Sequence, residues 1–215
     1  MKDLIIIGSG NPDIVRLIED INADKKQYNL LGFLEKDSSK IGSTILGYPV
    51  LGGDDLLLTE FSHCALVNNV MQTPQHNAKI AAILRNKYLM SDFPNLIHPN
   101  NRYRYVSMGY GNMVYDGVSL ASLVTMGNFN IMHPHSLISH ETLIGSNNLI
   151  SVGVSIGARL SIGDRNFFGM GSNVLSSLTI KDDNLICMGC NLTQSIESMK
   201  KIKVIKSEIV DYIFH

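Results

Sequence analysis

Cysteine is scarce in this chain: three residues in 215, an odd number that makes no disulfide framework. Charge is scarce as well. Charged residues are 17% of the sequence and the formal net charge is −1, so no global field draws the chain to nucleic acid or to an anionic membrane. No apolar run reaches the length of a membrane span. The N-terminus, MKDLIIIGSG, lacks the parts of a signal peptide. Its apolar run is short, Asp3 interrupts the start, and no small-residue cleavage site follows. Together these absences lead us to expect a soluble cytoplasmic protein with a core large enough for one or two domains.

What is present divides into two grammars. Up to about residue 100, strand-like and helix-like stretches alternate. LIIIG (4–8) reads as a buried strand, DIVRLIEDI (13–21) has apolar residues at helical spacing, and NLLGFLEKD (29–37) reads as a strand running into an acidic turn. A short helix is expected over Asp54–Phe61, a buried strand over CALVNNV (64–70), and a helix from Pro74 to about Lys87. Such alternation predicts a small parallel α/β domain.

From Met108 the period changes to six. Met108, Val114, Leu120, Met126, Met132, Ile138, Ile144, Ile150, Ile156, Ile162, Phe168, Val174, Ile180, Ile186 and Leu192 are all apolar. Chance gives such a run with a probability on the order of 10⁻⁵ or less in a fixed register. Glycine follows six of them, at 109, 127, 145, 157, 163 and 169. Asparagine recurs every eighteen residues, at 112, 130, 148, 166 and 184. Three hexads therefore make one coil, and the pattern predicts a three-sided solenoid of about five coils. The every-sixth residue points inward, Gly and Asn sit at corners that need left-handed backbone, and the asparagines hydrogen-bond along the stack. Residues 1–100, 101–197 and 198–215 are expected to be the first domain, the solenoid and a tail that closes its far end.

Within this regular stretch ISHETLIG (138–145) places His140 beside Glu141. Histidine titrates near neutral pH and serves as a general base. A carboxylate on its other ring nitrogen fixes the tautomer and stabilises the imidazolium that forms. An exposed histidine on a solenoid face can equally be idle surface.

A hexad repeat of this kind resembles the left-handed β-helix of hexapeptide acyltransferases. The order IIIGSG, LLGFLEKD, LGYPVLGG and NLIHP ahead of the repeat further resembles the sialic-acid O-acetyltransferase and nucleotide-amino-sugar N-acetyltransferase family, over residues 1 to about 197. The resemblance implies a Rossmann-like domain before the β-helix, acetyl-CoA as co-substrate, a sugar or nucleotide-sugar acceptor, no metal, and a homotrimer with active sites between subunits. The family motif V-x-H-[ED]-C-x-I-G maps onto ISHETLIG, with Thr142 in place of Cys. It makes His140 the general base and Glu141 the group that raises its basicity. Gly8, Ser9, Gly10 and Asn11 match the loop that holds the nucleotide, and Glu35 and Lys36 match the acidic end of the second strand on the uridine side. Met170 and Met188 fall where relatives line the pantetheine groove, and Leu149 stands where some relatives have a histidine near the thioester. The chain departs from the family in that leucine, in GSGNPD where relatives read G-[AS]-[SG]-G-H, and in a tail without the Gly-x-Pro-Ala-Lys loop.

The expected function is transfer of acetyl from acetyl-CoA to a UDP-linked 4-amino sugar in cell-surface glycan biosynthesis, with O-acetylation of sialic acid or a relative as the alternative. Two readings of other classes stand beside it. His133, His135 and His140 invite a metal reading, the spacing from His135 to His140 resembling that of zinc-binding trimeric β-helix carbonic anhydrases, and a trimer that kept the scaffold without catalysis is the other. Cys187-Met-Gly-Cys190 reads as a small-residue slot rather than a metal pair, since a single C-x-x-C is weak evidence for zinc.

Overall fold

The computed structural model describes residues 1–70, 73–87 and 92–203. The tail expected over 198–215 therefore lies largely outside the described residues.

The first hundred residues build one sheet with the order β3 (Thr44–Ile45), β4 (Tyr48–Gly52), β2 (Tyr28–Leu34), β1 (Lys2–Ile7), β5 (Ala65–Asn68). All neighbours are parallel except the β3–β4 hairpin. β1 is buried on both faces, which is why it reads as an unbroken apolar run. Leu4 and Ile6 pack with Ile14, Leu17, Ile18 and Ile21 of α1 (Asp13–Asp24), while Ile5 and Ile7 pack with Ala81 and Leu84 of α2 (Pro74–Lys87). The helix expected over 54–61 is a 3₁₀ helix confined to Asp54–Leu58.

The rest is a left-handed parallel β-helix. Fifteen two-residue strands, from Ser107–Met108 to Asn191–Leu192, form three parallel rows. In each strand the second residue is the hexad apolar residue. Strict eighteen-residue pairing stacks Met108 under Met126 and Ile144, Val114 under Met132 and Ile150, and Leu120 under Ile138 and Ile156. These side chains form one continuous core. One row runs on beyond the sequence period. It begins with β6 (Leu96–Ile97) and ends with Lys201–Ile202. Ile97 lies seventeen residues before its partner Val114, and Ile202 sixteen after Ile186, so a six-residue comb misses both.

The corners correct one expectation. The repeat glycines owe their place to close approach, not to left-handed backbone. A Cβ at Gly109, Gly127, Gly145 or Gly163 would lie 2.0 to 2.4 Å from a side-chain oxygen of the next coil. The left-handed position is two residues further on and is filled mostly by other residue types: Phe129, His135, Glu141, Asn147, Arg159, Arg165, Ser177 and Asp183 all have φ between 54° and 63°. The asparagine ladder does form. Asn130 donates its Nδ2 to Asn112 Oδ1 at 3.1 Å and to Gly145 O at 2.9 Å, and Asn148 and Asn130 repeat the contact one coil later.

The sheet domain lies on the row that contains Met113, Ile131, Leu149 and Phe167, whose outward side chains join the α1 core cluster. His98 reinforces the join, its Nε2 lying 3.2 Å from Asp20 Oδ2 of α1. In a three-sided section, the corner opposite this covered face is the one carrying residues 121–124, 139–142 and 157–160.

Candidate functional site

His140 and Glu141 occupy that opposite corner, between strands Leu137–Ile138 and Leu143–Ile144. The corner is held by its neighbours in the stack. Glu141 N donates to Ser122 O at 3.1 Å, and Arg159 N donates to His140 O at 3.0 Å. Thr142 is fully buried and acts as a ladder residue, its Oγ1 donating to Gly157 O and accepting from Leu160 N. Left-handed backbone at Glu141 (φ 57°) turns its carboxylate back onto the imidazole. His140 Nδ1 lies 2.9 Å from Glu141 Oε2, with both side chains half exposed. A carboxylate on Nδ1 places the proton there and leaves the Nε2 lone pair facing solvent, the state a general base requires. Arg159, one coil on from Glu141, reaches the same Oε2 at 4.0 Å. Sequence reading missed this arginine, although its eighteen-residue offset from Glu141 was the available signal. Around the pair, Tyr105, Leu123, Leu137 and Leu143 are exposed large apolar residues.

The second group sits at the C-terminal edge of the parallel sheet. Gly8 has φ 86°, and a Cβ there would lie 2.9 Å from Val70 Cγ2. Asn69, fully buried, donates its Nδ2 to Gly8 O at 3.2 Å and to Asn11 O at 3.0 Å, drawing the turn's carbonyls inward. Asn11 Oδ1 accepts from the N–H of Asp13, the first residue of α1, at 3.0 Å. Glu35 meets this turn. Its carboxylate accepts from Ser9 N at 3.0 Å, from the Ser9 hydroxyl and from Lys36 N at 2.9 Å. Burial pushes the Glu35 carboxyl up, but the Ser9 hydrogen bonds and the Lys40 ammonium outweigh it and hold it below the usual range. The cation at the turn is Lys40, which was not foreseen: its Nζ lies 3.0 Å from Ser9 Oγ and 3.6 Å from Glu35. Lys36 is exposed beside it.

A depressed pKa means that Glu35 stabilises the fold above its unfolded value near 4.5 and that this contribution is lost as pH falls through the lower folded value. Glu35→Gln is therefore expected to lower stability by about 1 kcal/mol at neutral pH. The gap from wild type should close below about pH 4, as read from urea midpoints across pH. A gap that stays constant to pH 3 would show that the charge is not involved.

The third group is split. Met170 and Met188 share a corner column with Val152, and all three are exposed. Leu149 is apart from them, 5% exposed beneath the sheet domain in the α1 cluster. His133 and His135 lie on the Met170 corner, away from the His140 corner. Among the described residues no three His, Cys, Asp or Glu stand together as a metal group. Cys190 is buried in the β-helix core, its Sγ 3.5 Å from Ile202 O. No helix among the described residues is long and apolar enough to cross a membrane.

Solved structures share this architecture. The acetyltransferase domain of PglB from Neisseria gonorrhoeae superposes with a TM-score of 0.80 at 20% identity, over 93% of this chain and 96% of that one. PerB from Caulobacter crescentus, solved in complex with CoA and GDP-perosamine, gives 0.72 at 22% identity over 95% and 93%. WeeI from Acinetobacter baumannii gives 0.65 at 17% identity over 94% and 96%. No protein-family model and no curated protein matches the chain by sequence. The likeness establishes the fold: an α/β sheet domain on a left-handed parallel β-helix.

Proposed function

We propose that this chain transfers an acetyl group from acetyl-CoA to a sugar carried on a nucleotide, with a UDP-linked 4-amino sugar as the acceptor, in cytoplasmic steps of glycan biosynthesis. The observation that carries the reading is the His140–Glu141 pair at 2.9 Å in an exposed corner, on a fold whose neighbours include a domain solved in complex with acetyl coenzyme A and an enzyme holding GDP-perosamine. His140 Nε2 takes the proton of the sugar amine as its nitrogen attacks the thioester carbonyl. The new C–N bond forms, the C–S bond breaks, and the proton passes to the departing thiolate. Glu141 stabilises the imidazolium between these events. Residues 1–100 are the Rossmann-like nucleotide-sugar domain, and 101–197 the β-helix acyltransferase domain. Gly8, Ser9, Gly10, Asn11 and Glu35 hold the nucleotide with Lys36 or Lys40 beside it, while Met170 and Met188 border the pantetheine. The glycine turn favours a nucleotide-linked acceptor over free sialic acid.

The arrangement also supports a homotrimer. The glycine turn belongs to the domain on the covered face, whereas His140 is on the opposite corner, so one chain does not close the site. The exposed Tyr105, Leu123, Leu137 and Leu143 around His140 are the kind of patch that another copy covers. The test is release of free coenzyme A thiol from acetyl-CoA, which should require a UDP- or GDP-linked amino sugar. Co-expressed His140→Ala and Asn11→Ala protomers should recover activity that neither parent has, since a mixed trimer contains one site with both halves intact. Absence of thiol release across the acceptor panel at millimolar acetyl-CoA would sink the transferase reading. An active wild type with no recovery in the mixture of two inactive parents would sink the shared site.

A further inference from the structure

His133 is a half-buried imidazole that neither the fold nor the mechanism above uses. It opens the corner after Ile131–Met132, exactly one coil beyond Tyr115 in the stack, and its ring lies flat on Tyr115 with centroids 5.3 Å apart and planes 7° from parallel. Tyr115 in turn is tied to the glycine turn, its hydroxyl accepting from Asn11 Nδ2 at 3.2 Å. The backbone of His133 is satisfied: its N–H donates to Ile150 O at 2.9 Å, and its carbonyl accepts from Ser136 Oγ at 3.0 Å. Its ring is not, since among the described residues no hydrogen-bond partner meets either ring nitrogen. Neither nitrogen is sealed from solvent, so a ring held in place by Tyr115 keeps both free to hydrogen-bond a ligand. A cleft of about 180 Å³ runs between α1 and this corner, lined in part by Asp13, Arg16, Tyr115, Asp116, Pro134 and His135; His133 stands next to this lining, beside Tyr115 and Pro134, rather than in it. Burial pushes the imidazole down against the opposing pull of Asp13, so at neutral pH the ring offers one donor and one acceptor.

We infer that His133 is a recognition residue for the sugar of the acceptor, its ring nitrogens hydrogen-bonding hydroxyl or amine groups of the sugar while Tyr115 fixes the ring plane against the glycine turn. The inference rests on the nucleotide-sugar reading above. It places the sugar between the glycine turn and the corner of residues 133–136, with the nucleotide on the far side of Asn11. A neutral imidazole selects for a neutral polar substituent at that point, and the ring of Tyr115 behind it sets the depth of the pocket.

The experiment compares wild type, His133→Phe and His133→Asn. Phenylalanine keeps the flat ring on Tyr115 and removes both nitrogens; asparagine keeps a donor and an acceptor without the ring. KM for a UDP-linked 4-amino sugar is measured by thiol release and Kd for UDP by calorimetry. The expected result is a rise in KM of about tenfold or more for His133→Phe, with kcat changed less, an unaltered melting temperature and an unaltered Kd for UDP. His133→Asn should regain part of the loss. A wild-type KM in the phenylalanine variant overturns the inference, and so does equal weakening of UDP and sugar nucleotide, which would mean a role in shape alone. If wild type binds UDP but turns over no sugar nucleotide, the acceptor reading itself fails and this inference falls with it.

Discussion

Replacing His140 with alanine is expected to lower kcat for acetyl transfer by about 10²- to 10⁴-fold without changing the melting temperature. The size follows from the role. An amine attacking a thioester must lose its proton as the bond forms, and within the described corner the imidazole is oriented for this by Glu141 at 2.9 Å. Stability should not follow activity, because the side chain is half exposed and the corner is held by backbone bonds from Arg159 and to Ser122. Glu141→Gln should cost less, since an amide still bonds Nδ1 but no longer stabilises the imidazolium. A steady-state comparison with circular-dichroism melting decides it. An alanine variant with more than a tenth of wild-type kcat would remove His140 from the chemistry.

The second large effect is in the asparagine ladder. Asn148 donates Nδ2 to Asn130 Oδ1 and Gly163 O, and its Oδ1 accepts from Asn166 N and Nδ2. Asn148→Leu keeps the volume and orphans Gly163 O and both Asn166 donors in a buried stack. At about 1–3 kcal/mol for each of the three unsatisfied groups, the variant should lose roughly 3–9 kcal/mol, a large share of ordinary domain stability. Urea midpoints measure it, with the exposed Ser161→Ala as a control near zero. A loss under about 1 kcal/mol would mean that water or a shifted backbone replaces the amide.

The β-helix was legible because its constraint is written many times over. Every inward residue and every ladder asparagine is repeated at six or eighteen, so a single sequence suffices to find them. The left-handed corner positions were not legible. Phe129, His135 and Arg159 carry no local preference for positive φ; the ladder bonds of the adjoining coils impose it, at a cost of about 1–2 kcal/mol per residue. The surroundings of Leu149 were not legible from its motif position either. Nine residues from His140 is half a coil, enough to carry it from the exposed corner onto the face buried under the sheet domain. At the glycine turn, motif position named Ser9 and Glu35, which the structure brings into contact, but Lys40 reaches back from a 3₁₀ turn, a contact that no linear spacing announces.

The eighteen-residue pairing has a consequence for how such a chain can change in length. Each row is in register with the coil below, so adding or removing one residue in a coil rotates every later side chain off its column. Removing eighteen leaves each column continuous, one rung shorter. The length of the β-helix is thus quantised in whole coils, and growth or loss by duplication and deletion moves in steps of that unit. Irregular lengths are confined to the two ends, where the offsets of seventeen and sixteen residues at Ile97 and Ile202 occur.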